Sequence, residues 1–323
     1  MTQPIFKCGY NHELDLSVRY KAEWGNLRSK FPLFRDDTTP IPSAFSLSRF
    51  RKYPFDQGQA GTCWINTAVQ MVQIHTAVDV ELSGQPWEIV PLSRRFAAYY
   101  GKFADGTNGN PDDGGSIAAG LVAMSDDRTM GRGVCHEDLW PYPTGSEPAM
   151  RAALGQVPSA GAIHDASACR ISRVADLAND LGESVHRSIL NGHPCGVGIP
   201  WPDEWDTLQA TVFNTIPTFS ESKGHAVTLI GWYTTETGRK YWQIENSHGA
   251  IYTPLPAEQG KKIPGYTPTL FNQYGFIGTH DFWVGEAGLL TVLNRPISTT
   301  TVAAGLAGFL ARPNIRSFVE CFE

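Results

Sequence analysis

The sequence predicts an α+β fold of two lobes, a helical lobe first and a β-rich lobe second. Three observations carry this. Helical periodicity is confined to the first half of the chain. Beyond Asn191-Gly192 the pattern changes to short β-rich runs bounded by Gly, Pro, Asn and Ser. No internal repeat or low-complexity tract interrupts either half, and such segregation is the mark of an α+β arrangement. The chain has 323 residues, 41% hydrophobic and 18% charged, which is enough for a sizeable core and unlike a disordered composition.

The elements follow in order. Residues 1–41 are polar and mixed and end in the turn-rich Arg35-Asp36-Asp37-Thr38-Thr39-Pro40-Ile41, so an N-terminal arm is expected there. The main body then spans 42–294 and a tail spans 295–323. From Cys63 a helix is expected, with Ile65, Ala68, Val69 and Val72 on one apolar face. Residues 93–103 read as a second helix, 104–115 as a loop forced by Gly, Asn, Asp and Pro, and 116–124 as a third helix. A fourth is expected over 176–190, stopped by Asn191-Gly192. Residues 195–199, 225–233, 241–246 and 275–284 read as strands.

Composition excludes several functions. A net charge of −6, a pI near 5.9 and no Lys/Arg run argue against a nucleic-acid partner. No stretch reaches the roughly 18 apolar residues of a membrane span. The best, residues 302–311, is too short and is expected to pack on the body. The N-terminus has no signal-peptide pattern. The six cysteines form no C-x-x-C pair, so free thiols in a cytoplasmic or otherwise reducing setting are expected (a virion, if the protein is viral). No metal-ligand spacing, phosphate loop or G-x-S-x-G motif is present, and no cofactor is expected.

One constellation carries chemistry. Cys63 sits where the turn Gln59-Ala60-Gly61 gives way to a helix, and a helix N-terminus favours a thiolate. A nucleophilic thiol also needs an imidazole and a group to orient it. His225 begins one apolar strand and Asn246 ends the next, so a hairpin would bring them together. Gln57, just ahead of Cys63, offers a side-chain NH₂ for an oxyanion, joined by the Cys63 N–H.

These residues resemble the papain-like (cathepsin-type) cysteine peptidase family, whose hallmark is Q-G-x-C-G-S-C-W. Gln57-Gly58-Gln59-Ala60-Gly61-Thr62-Cys63-Trp64 matches it at Gln, both glycines, the cysteine and Trp. Further landmarks recur in sequence over roughly residues 40–290. Phe45-Ser46-Leu47 resembles the entry to the mature domain, Asp113-Gly114-Gly115 the substrate ledge, and Trp140-Pro141-Tyr142 the Y-P-Y turn. Pro194-Cys195-Gly196-Val197 resembles a core strand, His225-Ala226-Val227 the histidine segment, and Tyr241-Trp242-Gln243-Ile244-Glu245-Asn246-Ser247 the asparagine segment. Gly275-Phe276-Ile277 stands where the family has G-Y-I.

The resemblance implies a papain-like two-lobed fold with the cleft between the lobes. It also implies an endopeptidase of peptide or protein substrates that works through a Cys63 thiolate–His225 imidazolium pair and a thioester. Asn246 would orient His225 and Gln57 would complete the oxyanion site; Gly114, Gly115, Gly198, Ala226 and His248 would line the substrate groove.

The departures are as informative. Ala60 replaces a cysteine that the family pairs near the ledge, and Asp112-Asp113 replaces its Gly-Cys-Asn, so that disulfide is lost. Residues 250–273 form an insertion. His248 stands where the family has a tryptophan over the His–Asn hydrogen bond; a smaller, titratable ring is expected to leave that bond more exposed and to charge in the working pH range. The short arm and the added tail also fit a papain-fold structural or interaction subunit docked into a larger cellular or viral assembly. A thiol acyl transferase or isopeptidase would use the same residues.

Overall fold

A computed structural model describes residues 9–10, 40–50, 55–82, 91–125, 130–171, 173–176, 183–201, 212–213, 223–234, 240–249, 276–277 and 289–293. Most of the arm, the 250–273 insertion, the 295–323 tail with its apolar run, Cys8 and Cys321 lie outside them. The helices are α1 (Cys63–Leu82), α2 (Arg94–Ala104), α3 (Ile117–Met124), α4 (Glu147–Leu154), α5 (Ala160–Ala166) and α6 (Glu183–Leu190). The strands are β1 (Ala44–Ser46), β2 (Arg173–Asp176), β3 (Cys195–Trp201), β4 (Val212–Phe213), β5 (Lys223–Thr234), β6 (Lys240–Glu245), β7 (Phe276–Ile277) and β8 (Leu289–Leu293).

The first three expected helices form where the sequence places them. Ser93 and Ser116 cap α2 and α3 by accepting from the N–H groups of Phe96 and Ala119. The fourth forms over Glu183–Leu190; Asp176, expected at its start, instead ends a strand paired with β8, and residues 177–182 lie outside the described ones. The amphipathic reading of α1 is corrected as well. Residues 63–72 are buried on every side, Asn66, Thr67 and Gln70 included. A helix covered all round lies between two cores rather than on one. Cys63, Trp64, Ile65, Ala68 and Val69 pack with α3 in one cluster, while Ile74, Ala77 and Val78 pack with β3, β5 and β6 in the other.

The strands join in one sheet of order β2-β8-β3-β5-β6-β7-β4, with β1 pairing on β5. The central pairs are antiparallel: β3 with β5 sets Ile199 opposite His225 and Gly198 opposite Ala226, and β5 with β6 sets Thr228 opposite Glu245. That hairpin carries His225 and Asn246 to the same end of the sheet, as the spacing predicts.

Where the family disulfide is lost, other contacts hold the turn before Cys63. Gly61 donates its N–H to the buried Asp112 carboxylate at 2.8 Å, and Arg151 bridges Asp112 and Asp113. Ala60 packs with Tyr142, Met150 and Leu154. Cys63, Cys135, Cys169 and Cys195 are free thiols. Asp112→Ala is therefore expected to cost about 1–3 kcal/mol by orphaning the buried Gly61 N–H, read as a lower urea midpoint. Adding dithiothreitol to the parent protein should leave its midpoint where it was.

Candidate active site

Cys63 opens α1, so its sulfur stands at the positive end of a buried helix. A segment that lies 54 positions earlier in the chain covers it. Gly9 donates its N–H to Cys63 Sγ at 3.3 Å, and its carbonyl accepts from Gly115 N at 2.8 Å. Tyr10 donates from its backbone to Gly224 O at 3.2 Å, bridges Gly115 in the parallel sense, and joins Cys63, Trp64 and Ala226 in one apolar cluster.

Of the expected groove residues, Gly114, Gly115, Gly198 and Ala226 meet this segment, whereas His248 is buried against His225, Asn246 and Trp201. Gly114 has φ +84°, and a Cβ there would fall 2.5 Å from Gly9 O. A Cβ on Gly198 would run into the Tyr10 ring, and one on Gly224 would lie 2.6 Å from Tyr10 O. Lys102, itself buried, fixes the ledge by donating to Gly114 O at 2.7 Å while pairing with Asp105 at 2.8 Å.

His225 and Asn246 meet as the hairpin requires. His225 Nε2 donates to Asn246 Oδ1 at 2.7 Å, and His225 Nδ1 has no hydrogen-bond partner among the described residues. Trp201 packs on His225 at 4.6 Å between ring centres, and His248 packs on it at 4.6 Å.

Gln57 is bound to the same strand end. Its N–H donates to Ser247 O at 2.8 Å, and Ser247 Oγ donates to Gln57 Oε1 at 2.6 Å. With the oxygen so held, the NH₂ end turns the other way and donates to Ala60 O at 2.9 Å, beside the turn into Cys63. Tyr142 clamps this turn from below, donating to Gln57 O at 3.1 Å and sharing a short bond with Thr62. Burial pushes the Tyr142 phenol up to about 12, which keeps it a donor.

Two expectations about the site are corrected. The His225–Asn246 bond is not exposed by the smaller ring at 248: all three residues are buried, because Trp201 closes over both histidines. His248 does not charge in the working range, since loss of water and the neighbouring His225 hold it well below the usual imidazole range. Burial also raises the Cys63 thiol and lowers His225 to about 4, and both shifts favour the uncharged forms in this covered state.

Sequence reasoning missed Gly9, Tyr10, Lys102, Trp201 and the ties made by Tyr142 and Ser247. The last two stood inside quoted motifs, whereas Gly9 and Tyr10 carry no periodic signal at all.

The family model for papain family cysteine proteases matches residues 52–253, well over half of the chain. The chain belongs to the papain family of cysteine proteases. Xylellain, a cysteine protease from Xylella fastidiosa, superposes with a TM-score of 0.63 at 19% identity, over 91% of this chain and 98% of its own. Digestive procathepsin L 3 of the Tenebrio molitor larval midgut gives 0.58 at 17%, over 87% and 79%. The bromelain protease of Ananas comosus, solved with the E64 inhibitor, gives 0.56 at 17%, over 79% and 100%. At such identities the likeness shows the fold, which is the papain-like α+β fold. No curated protein matches the sequence.

Burial of neutral histidines sets a stability-versus-pH expectation. His75, His225 and His248 are all held below the ordinary imidazole value of about 6.5, chiefly by loss of water. Below that pH the unfolded chain binds protons that the folded chain refuses. Stability is thus full above about pH 6.5 and falls with acid, by up to about 1.4 kcal/mol per pH unit for each such histidine. The share of His225 levels off only below its folded value of about 4. Urea midpoints are expected to drop between pH 7 and 5, above the ordinary carboxylate range; a flat profile would contradict neutral burial.

Proposed function

We propose that the protein is a cysteine endopeptidase whose groove is occupied, in the chain described above, by its own Gly9 and Tyr10. The observation that carries this is the Gly9 N–H on the Cys63 sulfur, made by a segment that also pairs with Gly115 and Gly224. A groove that engages an extended backbone from both walls is suited to peptide, and the donor on the sulfur engages the lone pair that an attack would use.

With the groove vacated, water would reach Cys63 and His225, lower the thiol and raise the imidazole, and so favour the thiolate–imidazolium pair. The Cys63 thiolate attacks a peptide carbonyl to give a tetrahedral oxyanion, held by the Gln57 NH₂ and the Cys63 N–H. His225 gives its proton to the leaving amine as the thioester forms. It then takes a proton from the water that hydrolyses the thioester, while Asn246 holds the ring. A reducing location fits the four free thiols among the described residues. The open space over Gly198, filled by Tyr10, favours an aromatic side chain at that subsite.

The test uses the full chain. Any side chain at Gly9 would run into the backbone of Gly61, so Gly9→Val unseats the segment. Gly9→Val is expected to hydrolyse a peptide library faster than the parent and to alkylate faster at Cys63 with iodoacetamide near pH 6, and Cys63→Ala should abolish both. A Gly9→Val protein that alkylates at Cys63 but cleaves no peptide would favour the acyl-transfer reading. One that does neither would favour a structural subunit.

The oxyanion assignment has its own measurement. Gln57→Ala should lower kcat by roughly 10²–10³, the range for losing one such donor, with KM little changed. Unchanged turnover would remove Gln57 from the mechanism.

A further inference from the structure

The side chain of Asn246 has an oxygen end and an amino end, and the surrounding bonds decide which is which. Ser247 brings its backbone N–H to 2.7 Å from one end, and a backbone N–H only donates, so that end is the oxygen. His225 Nε2 lies at 2.7 Å from the same oxygen and must therefore carry its proton. The opposite end is NH₂, a pure donor, and it lies 3.3 Å from His248 Nδ1. His248 Nδ1 must then be a bare acceptor, with the His248 proton on Nε2. The neutral state that burial imposes on His248 is the state this bond requires. Three side chains thus form one directed chain: His225 Nε2–H to Asn246 Oδ1, and Asn246 Nδ2–H to His248 Nδ1.

We infer that His248 is a positioning residue whose Nδ1 accepts the Asn246 amide and thereby fixes the tautomer and aim of His225. An amide turned end for end would set NH₂ groups against Ser247 N–H and His225 Nε2–H. His225 could answer only by moving its proton to Nδ1, the nitrogen that the proposed reaction needs bare. The tryptophan that the family carries at this position has no acceptor nitrogen. The hydrogen bond from Asn246 is therefore a feature of this chain and not a copy of the family's indole cover. A ring that only filled space would need its bulk and would be indifferent to where its proton sits.

The inference rests on the endopeptidase reading for its consequence, though not for its geometry, so two measurements separate the two. The first is ¹⁵N NMR of the histidine imidazoles in the unsubstituted full chain near pH 7.5. The expected signature is a protonated Nε2 on both His225 and His248, with Nδ1 bare on each. A proton on Nδ1 of His248 overturns the inference, whatever the protein does to peptides.

The second measurement is the order of two variants in the full-length Gly9→Val chain. His248→Phe keeps an aromatic ring without an acceptor, and His248→Asn puts an acceptor oxygen near the place of Nδ1 at the cost of bulk. His248→Phe is expected to lower kcat at least about tenfold with KM little changed, about the effect of one lost hydrogen bond. His248→Asn should recover most of that loss. Turnover of Phe equal to or above that of Asn would reduce His248 to filler and overturn the inference. Where Gly9→Val itself shows no turnover, the endopeptidase reading has failed and the imidazole spectrum alone decides the positioning role.

Discussion

The site depends on a short clasp between the loop ahead of Cys63 and the strand end that carries Asn246. Gln57 N donates to Ser247 O at 2.8 Å and Gly249 N donates to Phe55 O at 2.9 Å, with Asp56 and His248 paired between them. Cys63 belongs to the helical lobe, His225 and Asn246 to the sheet, and the clasp ties the two beside the contacts of Cys63 with Ala226 and of Gln70 with Asn246. Backbone bonds do so because their geometry admits little error. The same clasp turns two side-chain amides at once. Ser247 Oγ holds the oxygen of Gln57 so that its NH₂ points back toward the turn, and Ser247 N holds the oxygen of Asn246 so that it faces His225. One residue between Asn246 and His248 therefore orients both the candidate oxyanion donor and the candidate ring-holder.

Much of this was legible in the sequence, for a physical reason. Nucleophile, base, orienter and oxyanion donor need fixed residue types beside local devices such as a glycine turn, a helix start or a strand end, and such devices leave short patterns. Cys63, Gln57, His225 and Asn246 were readable because each sits on one. The all-round burial of α1 was not, since Asn66, Thr67 and Gln70 look like a solvent face until their partners are known. Gln70 donates to Asn246 O and accepts from Thr228 Oγ1, both far along the chain. The short helices α4 and α5 carried only weak signals: Pro148 inside the first turn of one, and a Ser159 cap on the other. Strand β2 pairs with β8, more than a hundred residues on, and no local pattern announces such a partner. The charge state of His248 was misjudged because exposure was inferred from ring size, whereas Trp201 supplies the cover from β3.

The replacement of a family disulfide by Asp112, Arg151 and an Ala60 cluster shows one constraint met by different chemistry. The turn into Cys63 must be held still, or the sulfur drifts from the His225 side of the cleft. A disulfide does this covalently and only where oxidation is allowed. A buried carboxylate accepting the Gly61 N–H, steadied by a half-exposed guanidinium, does it without redox chemistry. The small cluster of Ala60 with Tyr142, Met150 and Leu154 then adds apolar contact where sulfur atoms would otherwise pack. Tyr142 links that cluster upward to Gln57 O, so the oxyanion side and the disulfide-free anchor form one connected unit.

The covered groove joins steric and electrostatic effects in one cause. Gly9 and Tyr10 occupy the space between the walls beside Cys63, Trp201 covers His225, and the resulting burial moves two proton affinities in opposite directions. A raised thiol and a lowered imidazole both favour the uncharged forms, although backbone N–H groups of Gly9, Ala226, Trp64 and Tyr10 pull the thiol back toward thiolate. Burial outweighs these donors because several neutral dipoles do not replace the hydration of a full charge. The donors belong to two classes. Those of Ala226 and Trp64 are built into β5 and α1 and remain when the groove is vacated, whereas those of Gly9 and Tyr10 leave with their segment. Vacating the groove thus costs the sulfur the donors of Gly9 and Tyr10 and restores water, and the fixed donors then act on a solvated thiol. On the proposed reading, latency needs no distortion of Gln57, His225 or Asn246: their mutual hydrogen bonds are in place while the groove is covered, and hydration is what the site lacks.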